Sequence, residues 1–227
     1  IAVTAQHGVT INPAGSLTAN AQDISVTADD NRDNAGTVTI QGAVNSQNGT
    51  ITIIGEGVSE ILGGSITSGS GTITIDGNTR TVGARSSTIS LGGTVTTTNT
   101  TSSALVISDA AALLLSGTIT VSSTTSTMTF GGTSAGTTLG LINQTAGAIT
   151  AAGDSQIRSA TTIITLGQSG NNFNTVTAIA GASVTLQDSN AITLTTITTT
   201  NGGVTVTAGG NITVGAITDT AASNLVE

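Results

Sequence analysis

The feature that constrains this chain most is a rhythm: a short Thr-apolar-Thr-apolar unit returns along much of its length, at nearly constant spacing. Residues 183–199 align with 203–219 at a shift of 20, which sets Val184, Leu186, Ile192, Leu194 and Ile197 against Val204, Val206, Ile212, Val214 and Ile217. Gly42, Val44, Gly49, Ile51, Ile53 and Gly55 align with Gly64, Ile66, Gly71, Ile73, Ile75 and Gly77 at a shift of 22. A related unit with the same seven-residue step, Leu17 to Ile24, precedes them. The middle third, with Ile89, Leu91, Leu105, Ile107, Ile119, Val121, Met128 and Phe130, keeps the motif and varies the spacing. Self-similarity at such a period is the signature of a solenoid or array.

Within each unit the apolar residues alternate with Thr, as in Thr50-Ile51-Thr52-Ile53, Thr72-Ile73-Thr74-Ile75 and Thr118-Ile119-Thr120-Val121. Period two in β-branched residues reads as strand. Gly and Asn, for instance Gly202-Gly203 and Gly209-Gly210-Asn211, supply the backbone freedom for corners, so strands of three to five residues are expected. Helical patterning is nearly absent; Asp109 to Ser116 reads as a buried strand with its flanking turn. A unit of this size cannot close a core alone, but stacked units bury continuous aliphatic ladders. The expected fold is all-β: a parallel β-helix (β-solenoid) with about 20–22 residues per coil, one domain over residues 1–227. Roughly 11 coils would make a rod about 50 Å long. A two-sheet sandwich also alternates short strands with turns, but gives no reason for aligned repeats. The register sends Ile51, Ile53, Ile73, Ile75, Val184, Leu186, Val204 and Val206 inward, and Thr52, Thr74, Thr185 and Thr205 outward.

Composition removes several functions. Only 16 of 227 residues are charged, 12 acidic and 4 basic, whereas 48 Thr, 24 Ser and 30 Gly dominate. Four Arg and a net charge of −8 cannot neutralise a row of phosphates, so nucleic acid is excluded as a partner. The longest apolar run, Ala110 to Leu115, is far below the ~18 residues of a spanning helix, so membrane insertion is not expected. With no Lys, Cys, Trp or Tyr, P-loop, thiol and zinc-ribbon chemistry lack their essential residues. The chain starts at Ile1 without an initiator Met, which suggests a processed form or a segment of a longer chain.

The units around Asn172-Phe173-Asn174-Thr175-Val176, leading to Gly181-Ala182-Ser183-Val184-Thr185-Leu186, and the stretch Ile192 to Ile217 resemble the repeats of large bacterial secreted surface proteins of the filamentous haemagglutinin type. The resemblance covers most of the chain and rests on composition and rhythm. It implies a right-handed parallel β-helix, export by a Gram-negative cell, an extracellular or cell-surface location, and a role as adhesin or surface scaffold with a host-surface or matrix ligand. Ile11-Asn12-Pro13-Ala14-Gly15 is a fragment of the Asn-Pro motifs of that family's secretion domain, and the chain is not read as that domain.

Few residues carry candidate chemistry. Asp29, Asn31 and Asp33, at i, i+2 and i+4, copy the opening of a calcium loop with hard oxygen ligands. Asn34 and Ile40, however, stand where the turn Gly and the bidentate Glu belong, and a solvated loop with a local Arg32 ion pair is the plainer reading. The same carboxylates are the candidates for a polysaccharide-cleaving β-helix enzyme. Gly132-Thr133-Ser134-Ala135-Gly136 matches the nucleophile-elbow pattern, but no helical pattern follows and the single His, His7, precedes the Ser; a corner turn is expected. The sequons at Asn48, Asn99, Asn143 and Asn211 are no more than a chain this rich in Ser and Thr provides by chance. Repeated Thr-x-Thr would build a hydroxyl-methyl lattice of the kind ice-binding solenoids use, although Thr is also the simplest uncharged outward residue for a strand.

No catalytic or cofactor residue is assigned. The expectation is a non-enzymatic extracellular β-solenoid, structural or adhesive. Its weakly charged ends, around Val3 to Ile11 and Ile212 to Ile217, leave strand edges open to end-to-end association or to further coils of the same protein.

Overall fold

A computed structural model describes residues 1–28, 36–77, 87–133, 138–160 and 162–220. The regular structure in these residues is β-strand, so among them no helix is long and apolar enough to cross a membrane. The first coils are β1 (Ala2–Thr4), β2 (Gly8–Ile11) and β3 (Ser16–Thr18), then β4 (Ile24–Thr27), β5 (Thr37–Ile40) and β6 (Ala43–Gln47), then β7 (Ile51–Ile54), β8 (Gly57–Glu60) and β9 (Ser65–Ser68). They continue as β10 (Ile73–Asp76), β11 (Thr88–Leu91) and β12 (Thr94–Thr97), then β13 (Leu105–Ser108), β14 (Ala110–Leu115) and β15 (Thr118–Val121), then β16 (Thr127–Phe130) and β17 (Leu139–Gln144). The last part holds β18 (Ala148–Ser159), β19 (Ile164–Leu166), β20 (Asn172–Ala180), β21 (Val184–Asp188), β22 (Ile192–Thr199), β23 (Val204–Ala208) and β24 (Ile212–Asp219).

Up to β15 each strand pairs in parallel with the strand three places on, so the chain winds through three faces and returns to the first. The expected all-β parallel β-helix is therefore the fold. Both alignments read from the sequence are registers of this structure: Ile51 and Ile53 pair with Ile73 and Ile75 at a shift of 22. Val184 and Leu186 pair with Val204 and Val206 at a shift of 20.

The inward positions are the predicted aliphatics. Ile51, Ile53, Ile73, Ile75, Val184 and Leu186 are buried, and Thr52, Thr74 and Thr185 between them are half-buried. Val204 and Val206 also face the core but remain half-buried because they lie in the last coil, where Thr205 is exposed. The apolar stretch after Asp109 is the buried strand β14, as its pattern suggested, and Asp109 turns the chain into it with a φ of 55°.

Coil length is where the structure departs from expectation. Among the described residues the second face holds nine strands, β2, β5, β8, β11, β14, β17, β19, β21 and β23, and so these residues form about nine coils rather than 11. A rod of that many coils is about 40 Å long. The register shift grows well beyond the expected coil where Ile73 pairs with Leu105 and Val58 with Ile89, because a long connection lies between them. Between the first and second faces, the connections β4–β5, β10–β11 and β16–β17 run over 28–36, 77–87 and 131–138. The intervening connections are only Gly55-Glu56, between β7 and β8, and Asp109, between β13 and β14. Long and short connections thus alternate along one edge of the solenoid.

Candidate functional site

The residues singled out from the sequence fall mostly in connections between strands along the chain. Asp29, Asn31 and Asp33, with Asp30 and Arg32, lie outside the described residues, in the connection between β4 and β5. Ser134, Ala135 and Gly136 of the elbow-like motif also lie outside them, between β16 and β17, and Arg80 and Arg85 lie between β10 and β11. His7 is exposed in the short turn between β1 and β2. Among the described residues no group of three His, Cys, Asp or Glu is placed to hold a metal ion.

The described residues contribute three other features. The first is polar and buried. One inward column of the second face runs Ile11, Ile40, Glu60, Leu91, Leu115, Gln144 in paired register, so a carboxyl and an amide interrupt an aliphatic ladder. The Gln144 amide is matched at both its nitrogen and its oxygen: it donates to Asn171 Oδ1 at 2.8 Å and accepts from Asn171 Nδ2 at 2.8 Å. Asn171 in turn donates to the Leu166 carbonyl at 3.1 Å and accepts from the Ile149 amide at 2.9 Å.

Glu60 has no such match. It is 1% exposed and neither carboxylate oxygen has a hydrogen-bond partner. Burial pushes its pKa up from 4.5 to about 7, against a smaller opposing pull from the Gly93 and Thr94 amides. Those amides lie on the carboxyl's side of the corner, but the Thr94 N–H donates to the Gly64 carbonyl at 3.1 Å. Glycine makes room for the group, since a Cβ on Gly93 would lie 2.9 Å from the Glu60 carboxyl carbon and one on Gly64 would lie 3.1 Å from its Cγ.

The sequence reading did not single out Glu60, yet a signal was present. Val38 pairs with Val58 at a shift of 20, whereas Val44 pairs with Ile66 at a shift of 22. The jump of two falls between β8 and β9, directly after Glu60. Accordingly this corner holds four residues, Ile61, Leu62, Gly63 and Gly64, where the corners above and below, Gln41-Gly42 and Gly92-Gly93, hold two. Leu62 is 89% exposed and Gly63 has a φ of 98°.

The second feature is the third face. Its outward positions form two paired columns, Ser16, Ala43, Ser65, Thr94, Thr118, Ala148 and Thr18, Asn45, Thr67, Thr96, Thr120, Thr150. Successive rungs in such an array are about 4.8 Å apart, and neighbours along a strand about 6.6 Å. No position in it is charged. At the corner that follows, hydroxyls turn inward: Ser68 Oγ donates to the Gly71 carbonyl at 2.7 Å and Thr97 Oγ1 to the same carbonyl at 3.2 Å. Asn99, one of the sequons, is buried there, and its Nδ2 donates to Thr72 Oγ1 at 3.2 Å.

The third feature is the last coil. Ile212 and Val214 pair in register with the buried Ile192 and Leu194, but are themselves 43% and 52% exposed. An internal ladder therefore ends on an accessible aliphatic surface.

Comparison with known protein families, characterised proteins and solved structures finds no match to this chain.

Proposed function

We propose that this chain is a non-enzymatic structural or adhesive β-solenoid, acting outside the cell as a repeat segment of a bacterial surface adhesin or as the subunit of a self-assembling surface filament. The observation that carries the reading is the last coil. Ile212 and Val214 continue the Ile192 and Leu194 columns and are exposed, so the surface fits one more coil of the same register. That coil comes from the same protein in an adhesin, or from another copy in a filament. The coils beneath support a scaffold role, since nine stacked strands on one face build length, and outward Thr and Ser keep the sides wetted with little charge. A location outside the cell, a host-surface or matrix ligand and an adhesin's family rest on the sequence resemblance.

Sedimentation and light scattering of the purified chain over a wide concentration range test the assembly. Elongated oligomers that grow with concentration are expected from the filament form, and Val214→Asp should abolish them. A monodisperse monomer at high concentration overturns the filament and leaves the adhesin segment, which binding to host matrix preparations then tests.

One observation favours a second reading. The two columns of the third face form an uncharged array over six coils in which nine of twelve positions are Ser or Thr, interrupted by Ala43, Asn45 and Ala148, and a repeated hydroxyl lattice is what an ice-binding face requires. Thermal hysteresis that is lost in a Thr96→Lys, Thr120→Lys variant would support it; absence of hysteresis in the parent chain removes it. The polysaccharide-cleaving alternative rests on carboxylates outside the described residues and has no such observation behind it.

A further inference from the structure

Two local departures from the regular coil coincide at one corner. The first is Glu60, the carboxyl in an aliphatic column, buried and without a hydrogen-bond partner. The second is the Ile61–Gly64 connection, twice as long as the corners above and below it, with Leu62 projecting into solvent and Gly63 in the left-handed region. Each alone has a plain account. A buried carboxyl stays neutral at low pH and so escapes the penalty of a buried charge, and a longer corner is tolerated on a solenoid's surface. Together they give the carboxyl an exit. The two-residue corners have no slack: a Cβ on Gly42 would lie 2.1 Å from the Gly15 carbonyl oxygen and one on Gly117 2.1 Å from that of Gly93. Ile61 to Gly64 has room in its middle, where a Cβ on Gly63 would meet nothing within 4 Å, while its far end is close-packed, a Cβ on Gly64 lying 2.6 Å from the Ile40 carbonyl oxygen.

We propose that Glu60 and the Ile61–Gly64 corner form a proton-operated latch, closed on the core when the carboxyl is neutral and released outward when it ionises. Around Glu60 only the Gly93 and Thr94 amides favour the charge, and their pull is smaller than the penalty of burial. β5 and β11, the strands paired with β8, carry no ionisable side chain, and neither do β6, β9 and β12 around the same corner, nor Gln41-Gly42 and Gly92-Gly93. Glu56, the other acidic residue of this coil, precedes β8 and lies at the opposite end of the strand. An ionised Glu60 therefore has no cation to pair with in place, and reaching water is the way to remove the penalty of burying its charge. Movement of the β8 end delivers the side chain to water by breaking the Ile61 N–H bond to the Ile40 carbonyl (3.1 Å) and the Gly92 N–H bond to the Glu60 carbonyl (2.6 Å), and the corner that must then yield is the long one. The rest of the coil is held by the Val58 ladder, where Val58 is fully buried between Val38 and Ile89. Release is thus local and changes how Ile61 and Leu62 are presented on the surface.

Hydrogen exchange of the whole chain, followed by mass spectrometry at pH 5.5 and pH 8.5 and corrected for intrinsic exchange, tests the latch. In the parent chain protection over residues 61–66 should fall roughly tenfold at the higher pH, since a carboxyl one to two units above its midpoint is at least tenfold more ionised than neutral. Protection over residues 51–54 and 192–199 should be unchanged. Glu60→Gln, which cannot ionise, should hold the corner at one level of protection at both pH values. The proposal is overturned if the parent and Glu60→Gln respond alike, or if protection falls evenly along the rod. Should Glu60→Gln fail to fold, the parent alone decides: the Glu60 side-chain carboxyl resonance and the 61–64 amides must titrate together near neutrality. A Glu60 midpoint in the ordinary carboxylate range overturns the latch.

Discussion

Residues 1–147 and 148–219 solve the same stacking problem in different ways. In the first region each coil is three separate strands, and the corner between the third and first faces varies from the short 48–50 to the longer 98–104. In the second region that corner collapses into the strand itself. β18 pairs with β15 through Ala148–Ala151 and with β16 through Asp154–Ile157, bending at Ala152-Gly153. β18 pairs on to β20 with its register broken between Ala151 and Asp154, and β20 to β22 with a break after Val176. The coil settles near 20 residues, which carries Ile164 onto Val184 and Ile192 onto Ile212, whereas in the first region the shift ranges from 20, Val38 onto Val58, to 32, Ile73 onto Leu105. The inward ladder nevertheless runs across the change: Val9, Val38, Val58, Ile89, Leu113, Ile142, Ile164, Val184 and Val204 are one column. The fold is thus specified by its ladder, and corners are free to lengthen, bend or vanish.

Truncating the ladder on either side of the boundary breaks or sharpens that comparison most directly. Ile75 and Ile164 are both fully buried, one in each region, and each pairs with aliphatics on both sides. Ile75→Ala and Ile164→Ala should each cost about 2–5 kcal/mol, read from urea unfolding. If the ladder couples the coils, both variants move one shared transition. Two transitions, each shifted by one variant alone, would mean that the change of coil near residue 148 divides the rod into separate folding units.

The same contrast governs what could be read from the sequence. The strands and their facing were legible because Thr-Ile-Thr-Ile states its period locally, and the shifts of 20 and 22 hold wherever corner lengths are constant. The coil count was not, because the long connections 28–36 and 77–87 hide between ladder positions and carry no pattern of their own. For the same reason the calcium-like Asp29, Asn31, Asp33 set and the elbow-like Ser134 were visible as motifs, but they fall in connections whose residues lie outside those described. Glu60 was hidden differently. A Glu at the end of Gly57-Val58-Ser59-Glu60 reads as a polar strand end until Ile40 and Leu91 are known to flank it in register. The buried amide pair Gln144 and Asn171 was equally invisible, since its members are far apart in the chain and meet only through the stacking of coils.

A second difference between the regions is electrostatic, and it predicts the next largest effect. Glu60 has its folded pKa raised from 4.5 to about 7 by burial, so the native state binds its proton more tightly than the unfolded chain. Below about pH 4.5 both states are protonated and the group is neutral for stability. As pH rises to about 7 the unfolded state ionises first, so stability falls by about 3 kcal/mol and then levels. Glu60→Gln should remove that fall. Asp188, the buried acid of the second region, already accepts the Phe173 and Asn190 amides at 2.6 and 2.8 Å, so the two acids differ in kind. Unfolding curves of the parent and Glu60→Gln at pH 4.5, 6 and 8 check the sign; a parent that gains stability over this range relative to the variant contradicts it.

The smallest effect tests the corners themselves. In the first region the corner from the second to the third face is a column of close backbone contacts, Gly15, Gly42, Gly64, Gly93, Gly117 and Gly147. A Cβ on Gly117 would lie 2.1 Å from the Gly93 carbonyl oxygen, and one on Gly147 1.8 Å from that of Gly117. These neighbours are backbone, which cannot swing aside as a side chain can. Gly117→Ala must therefore push two coils apart, and about 1–3 kcal/mol is the expected cost. In the second region the same corner opens with Gly167, where a Cβ would meet only the Thr185 methyl, at 3.9 Å. Gly167→Ala should stay within about 0.5 kcal/mol of the parent, because its backbone φ is not in the left-handed region and no neighbour must move. Thermal melts of the two variants measure the difference. Equal losses would mean that the open space at Gly167 gives no tolerance, and that freedom at a corner does not follow from open space alone.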